Sequence, residues 1–191
     1  MATPSTRDLI IEKADTLFYE RGFEATSFAD IAASVGISRG NFYHHFKTKD
    51  EILDAVIDRR IENTSAMLDA FAADASTPRD GIIAFIHIVI TNRTKIMAFG
   101  CPVGTLCAEL AKLDHALKPR AAALFTLFGD WLTRQFAALG MADHAGRYAL
   151  HVLAWSQGVA ALAAAFHDET FIRREVDDIT AWLDSLPAVL A

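Results

Sequence analysis

Three observations predict an all-α fold of roughly nine helices. Just over half of the 191 residues are hydrophobic (52%), Ala is used heavily and only five Pro are present, a composition that suits a helical bundle. Apolar residues recur at spacings of three and four in one segment after another, the period of an amphipathic helix. Helix breakers divide the chain at helix-length intervals: Gly36, Pro78, the Gly100-Cys101-Pro102 run, Pro119, Gly140 and Pro187. No strand, internal repeat or low-complexity linker is expected.

The elements follow in order. Residues 1–5 read as disordered, and a first helix is expected from about Thr6 to Arg21, with Leu9, Ile10, Lys13, Ala14, Leu17 and Phe18 along one stripe. Ser27 with Asp30 three residues on makes a capping-box start for a short second helix. Its Phe28, Ile31, Ala32 and Val35 fall on one face. Gly36 breaks it, and Ser38 is a good N-cap for a third helix on which Phe42 and Phe46 sit one turn apart and point inward. A fourth helix should run from Lys49 to about Ala73, and a fifth from Pro78, suited to a first turn, to about Phe99. A short sixth is expected over Gly104–Leu113, then long helices from Pro119 to about Leu139, His144 to His167 and Phe171 to Leu186, the last stopped by Pro187.

Two crossing helices joined by a tight glycine turn form a helix-turn-helix, whose second helix can enter the major groove of DNA. Outside the buried Phe42 and Phe46, that helix would present Arg39, Gly40, Asn41, Tyr43, His44 and His45. Arg39, Gly40, Asn41 and His44 are placed to meet base edges, Arg suiting guanine and Asn adenine. Thr26 or Ser27 can donate to a phosphate at the start of the second helix, and the helix N-terminus at Ser38 also attracts phosphate. Taken singly, each of these polar residues is equally well explained as part of a solvated surface; the set is what points to DNA.

The run from Ile11 through Val56 closely resembles the N-terminal domain of TetR-family transcriptional regulators. Carrying the resemblance are Ala14, Leu17 and Phe18, the Gly22-Phe23 turn, Asp30-Ile31-Ala32, Gly36, Tyr43, Phe46 and Lys49. It implies a DNA-binding domain over residues 1–49 and a ligand-binding and dimerisation domain over 50–191. It further implies a homodimer on a palindromic double-stranded operator, released when a small molecule occupies the C-terminal domain. By the same resemblance Tyr43, His45 and Lys49 match positions that touch phosphates, and repression is the expected sign.

The net charge of −6 runs against DNA binding, but its distribution does not. Residues 1–49 hold six Lys/Arg and six Asp/Glu, whereas residues 50–191 hold twelve and eighteen. Between Thr26 and Lys49 three basic residues face one acid. Phosphate contacts act at short range under physiological screening, so a local basic surface suffices. No apolar run is read as reaching membrane length and no signal peptide opens the chain, so a cytoplasmic protein without membrane contact is expected. Two Cys fit a reducing compartment.

Gly100-Cys101-Pro102-Val103-Gly104 and the residues to Leu110 resemble a segment that recurs in one branch of TetR-like regulators beside the ligand cavity. A Cys at a helix start can have its thiolate stabilised, which makes Cys101 a candidate sensor of electrophiles or oxidants. A small buried hydrophobe is the alternative for it and for Cys107. Ligand-wall candidates are Phe85, His87, Ile88, Val89, Asn92, Met97, Phe125, Phe128, Trp131, Trp155 and Phe166, with Cys101 and Cys107 beside them and Glu109 and Gln157 as polar anchors. His87, on an apolar run, is expected to be buried and to need a partner. An aromatic, mostly neutral wall suggests a hydrophobic or aromatic effector. Dimerisation is assigned to the last two helices, through the small residues of Ala154–Phe166 with Trp182 and Leu183 as anchors.

Enzyme readings find little support. There is no GxSxG elbow or GxGxxG after a strand, and no HExxH or CxxC spacing for a metal. No cofactor is expected. Two other readings stay open: a thiol-based redox regulator acting through Cys101, and a helical binding protein whose head no longer binds DNA.

Overall fold

The computed structural model describes residues 5–186, with the Arg39 side chain outside the description. The expected disorder of residues 1–4 and the stop at Pro187 lie outside the described residues, whereas Ser5 is ordered as a helix cap. The elements are α1 (Thr6–Arg21), α2 (Phe28–Val35), α3 (Arg39–His45), α4 (Lys49–Asp74), α5 (Pro78–Ile86), α6 (Ile88–Thr91), α7 (Arg93–Phe99), α8 (Pro102–Lys112), α9 (Lys118–Ala138), α10 (Ala145–Phe166) and α11 (Glu169–Ser185). A single 3-10 turn, Ala142–His144, precedes α10. No strand occurs among the described residues.

The starts of these helices are encoded locally. Ser5, Ser27 and Thr77 each accept a backbone N–H in the first turn of α1, α2 and α5, and Asp8, Asp30 and Asp80 each return the bond, so all three are capping boxes. Gly36 ends α2 at φ 72°, ψ 29°, the left-handed conformation that glycine adopts without steric cost.

The single helix expected over Pro78–Phe99 is instead three segments, α5 to α7. The i→i−4 bonding persists through the joints, His87 N–H to Ile83 C=O and Asn92 N–H to Ile88 C=O, so the element bends rather than stops. At the second joint the Asn92 side chain also donates to the Ile88 carbonyl (3.0 Å), the competition with the ladder that bends helices. Counting this broken rod once leaves nine helical rods among the described residues, in line with the roughly nine the sequence predicts.

Packing gathers the chain into two compact units. The first holds residues up to Glu62 together with Thr105–Ala123, and the second holds Asn63–Gly104 and the chain from Leu124 on. Within the first, Ile10, Ala14 and Phe18 of α1 meet Ile31 of α2, Phe42 of α3, Ile52 and Val56 of α4 and Leu110 of α8 in one core. Arg59 braces α4 on α1 by pairing with Asp8 (2.6 Å), and Arg60 does the same with Asp15 (2.6 Å). In the second unit α10 packs on α7 and α11, and α11 on α5 and α6, around Ile82, Ile86, Trp131, Phe136, Val152, Ala160 and Ile172.

One sequence expectation is corrected here. The stretch 142–166 is long and apolar enough to cross a membrane, with a mean hydropathy of 1.5 over its best window, 39% of which is buried. Four of its small residues, Ala145, Ala149, Ala160 and Ala163, are buried in the core of the second unit, where they allow close packing.

Ser27→Ala should cost about 1 kcal/mol, the usual loss for an N-cap, read as a lower urea midpoint. The Asp30 carboxyl is held below its ordinary pKa, first by the Ser27 hydroxyl and then by the Ser27 backbone N–H. A depressed pKa stabilises the fold at neutral pH and loses that contribution as pH falls through the acidic carboxylate range. The midpoint gap between wild type and Ser27→Ala should therefore narrow in acid.

Candidate nucleic-acid interface

The reading element is built from α2, the turn at Gly36 and α3. Phe42 and Phe46 are almost wholly buried, at 1% and 2% exposure, and they set which face of α3 looks outward. Phe28 meets Phe42 edge-on at 4.7 Å and stacks against the Tyr43 ring at 5.2 Å. Tyr43 stays 48% exposed on that platform, so its phenol is positioned yet accessible. A small hollow lined by Phe28, Ala29, Ala32, Phe42 and Tyr43 lies beside it.

Among the residues the sequence nominated, Ser27, Ser38, Gly40, Asn41, Tyr43 and His44 are exposed, and His45 and Lys49 are half-buried. The His44 and His45 rings meet edge to face at 5.4 Å. Ser38 caps α3 by accepting the Asn41 N–H at 3.3 Å, which leaves the Asn41 amide side chain outward. Gly40 has open space where a Cβ would stand, so its lack of bulk leaves room on the outer face. Lys47 donates to the Tyr43 carbonyl, closing the end of α3.

Thr26 departs from expectation. It is fully buried, and its hydroxyl donates to the Gly22 carbonyl at 2.7 Å, so it holds the α1–α2 turn and does not reach a phosphate. Its buried position was hidden because a Thr before a cap Ser reads as part of the helix start. Lys49 also does more than the sequence suggests. Its Nζ donates to the carbonyls of Phe23 (2.9 Å) and Glu24 (3.3 Å) and lies 4.2 Å over the Phe23 ring, which leaves one N–H for an outside acceptor.

This arrangement has a counterpart among known proteins. Residues 10–56 match the model of bacterial regulatory proteins of the tetR family. Over those residues the chain is a TetR-family protein. It is 38% identical over 131 residues to the HTH-type transcriptional repressor ComR of Escherichia coli, covering 62% of each chain. Similarity to the HTH-type transcriptional repressor DhaR of a Mycobacterium species is 26% over 132 residues, covering 69% of this chain and 64% of DhaR. The chain thus spans just under two thirds of the length of these two relatives. A TetR transcriptional regulator from Legionella pneumophila shares its fold with a TM-score of 0.83 at 24% identity, over 94% of this chain and 99% of that one. A TetR-family regulator from Streptomyces coelicolor gives 0.82 at 20%, over 95% of each. Over the described residues the all-helical fold is that of these regulators.

The second unit brings together part of the nominated ligand wall. Phe85, Val89 and Trp131 are buried in its core, and Ile88, Met97, Cys101, Phe125, Phe128 and Trp155 pack half-buried against it. Phe85 and Phe128 meet edge-on at 5.5 Å. The Trp155 indole N–H is buried and has no acceptor. Gln157 donates to the Ser156 hydroxyl (3.2 Å), and its Oε1 lies where a side chain on Gly104 would stand. Three candidates fall outside this group: His87 is exposed at a helix joint, Asn92 is exposed and bonded to Ile88, and Phe166 is 64% exposed. The buried imidazole expected at His87 is thereby corrected: Ile82, Phe85, Ile86 and Val89 take the inner face, and His87 falls on the outer one. Cys107 and Glu109 belong to the first unit, where Cys107 packs against the core under α1–α4.

Leu183 is 4% exposed, and Trp182 is enclosed by the rings of Phe136, Tyr148 and His151. On α10, Leu150 is 66% and Leu162 44% exposed. Leu150 carried a signal that was available: it lies four residues before Ala154, in phase with the small-residue face.

Thr26→Val should destabilise the protein by about 1–3 kcal/mol by leaving the Gly22 carbonyl unpaired, with a lower urea midpoint. The salt slope of DNA binding should be unchanged, since no phosphate contact is removed.

Proposed function

We propose that the protein is a homodimeric repressor that holds a palindromic operator and releases it when a small hydrophobic or aromatic molecule binds in the second unit. The observation that carries the DNA reading is the outer face of α3, where Asn41, Tyr43 and His44 are exposed over a helix locked by Phe42 and Phe46. Arg39 and Asn41 would read bases, with Arg39 argued from its position in the helix alone. Ser27, Tyr43, His45 and the remaining Lys49 N–H would hold phosphates. Each phosphate donor fixes register without sequence information, so specificity falls on Asn41, His44 and Arg39.

The dimer reading rests on α10. Leu150, Ala154, Gly158, Ala161, Leu162, Ala165 and Phe166 are all exposed at spacings of three and four, one apolar strip along the helix. A second copy is its natural occupant, because an isologous pairing buries the strip against itself and small residues allow close approach. Two-fold symmetry then sets two copies of α3 on successive half-sites.

The effector reading rests on Trp155. A buried indole N–H without an acceptor is costly in an apolar setting, and an effector oxygen or nitrogen beside it would satisfy the group. Release requires the effector to bind better to the form that does not hold DNA, since equal affinity would shift nothing. A second reading, in which Cys101 reports electrophiles, is favoured by one contact: the Gly104 N–H at the start of α8 points at the Cys101 Sγ (3.4 Å), which places the sulfur at the head of that helix. Cys101→Ser would abolish the response in that case and leave it intact in the first.

Fluorescence anisotropy with the DNA upstream of the chain's own gene, over a salt series, tests the function. Saturable binding that outcompetes bulk DNA is expected. Asn41→Ala should weaken it by about 1–3 kcal/mol and relax preference at one base position, whereas Tyr43→Phe should weaken all sequences alike. Leu150→Glu with Phe166→Glu should yield monomers in sedimentation velocity and abolish half-site cooperativity while the helical circular dichroism persists, because like charges would face each other across the symmetry axis.

A further inference from the structure

The turn between α1 and α2 is gripped from both sides by charged side chains of other helices in the same unit. On α8, Glu109 accepts the Phe23 N–H at Oε2 and the Glu24 N–H at Oε1, both at 2.9 Å. From the start of α4, Lys49 donates to the carbonyls of the same two residues. One short stretch of backbone therefore has an anion on its donors and a cation on its acceptors.

Nothing about this arrangement is forced by the turn alone. A carboxylate facing the C-terminal end of a helix works against the helix dipole, so Glu109 is held there by the two N–H groups aimed at it. Gly22 makes room for it: a Cβ at that position would stand 3.0 Å from Glu109 Oε1, and the backbone lies at φ +92°. The Phe23 ring beneath, 2% exposed, is met edge-on by Phe18 at 5.2 Å and by His115, just beyond α8, at 5.1 Å. His115 Nε2 in turn lies 3.4 Å from Asp50 on α4. Three partners of this turn, Glu109, His115 and Lys49, thus converge from outside α1–α3.

We infer that Glu109 is a positioning residue for DNA recognition: its bidentate carboxylate fixes the α1–α2 turn, and with it the presentation of α2 and α3, so that α8 controls the reading head through this one side chain. The inference rests on the DNA-binding reading. A hydrogen bond weakens steeply with distance and misalignment, so a shift of α8 by about an ångström breaks both bonds together.

The test is Glu109→Gln, which keeps shape but offers one acceptor to two donors, with Glu109→Ala beside it. A duplex selected by the wild-type protein from genomic fragments and a scrambled duplex of equal length are the probes, read by anisotropy. Amide hydrogen exchange at Phe23 and Glu24 and the melting temperature are measured on the same proteins. Expected are rapid exchange at those two amides, a melting temperature near wild type, and a loss of at least about tenfold in affinity for the selected duplex with the scrambled one unchanged. Affinity for the selected duplex within about twofold of wild type overturns the inference, as does an equal loss on both duplexes in step with a fallen melting temperature. If wild type selects no duplex, the DNA reading fails on its own, and continued protection of the two amides in Glu109→Gln overturns the latch independently.

Discussion

A helix of seven residues has too few internal hydrogen bonds to persist by itself, so α3 exists because Phe42 and Phe46 are buried beneath it. Those two rings hold the helix to the core formed by α1, α2 and α4, and Arg7 lies over the Phe46 ring at 5.0 Å. Everything outward follows from that anchoring. Once Phe42 and Phe46 point in, Asn41 and His44 can only point out, and Tyr43 is left on the shoulder where Phe28 supports it. The ion pairs of Arg59 and Arg60 with Asp8 and Asp15 matter less for net stability than for direction, because partly exposed pairs contribute little energy yet hold α4 at one setting on α1.

The second unit solves a different problem with one helix. α10 has to pack on α7 and α11 through one side while leaving another side apolar and open. Ala and Gly serve both ends, since they fill narrow gaps in the core and flatten the exposed strip between Leu150 and Phe166. This double use is what gives residues 142–166 the length and apolarity of a membrane segment. Charge is arranged with comparable economy. The acidic excess lies beyond residue 49, while the reading element keeps a basic balance close to where phosphates would lie. At physiological salt, charges more than about 8 Å apart are largely screened, so the local sign prevails over the net one.

Buried polar groups differ in how completely they are paired. In the first unit the turn after α1 is fully satisfied: Thr26 takes the Gly22 carbonyl, Glu109 takes two N–H groups and Lys49 takes two carbonyls. Such a network is specific because each member depends on the others' positions. In the second unit the Trp155 indole N–H and the Thr180 hydroxyl are buried without partners.

By itself the sequence determined what depends on neighbours a few residues apart. Capping boxes at Ser5, Ser27 and Thr77 join groups three residues apart, and the Gly36 turn and the inward pair Phe42–Phe46 follow from helical spacing, so the helix-turn-helix and most rod boundaries were legible. Tertiary structure alone decided which polar and apolar side chains meet. Glu109 finds Phe23 across 86 residues, and Thr26 turns inward although its neighbour Ser27 caps outward. The choice of Leu183 for the core and Leu162 for the surface has the same origin: both lie on apolar helical faces, and only the packing of α10 against α11 buries one and leaves the other in water. Periodicity records that a helix has an apolar face, but what covers that face depends on residues far away in the chain, which no local pattern encodes.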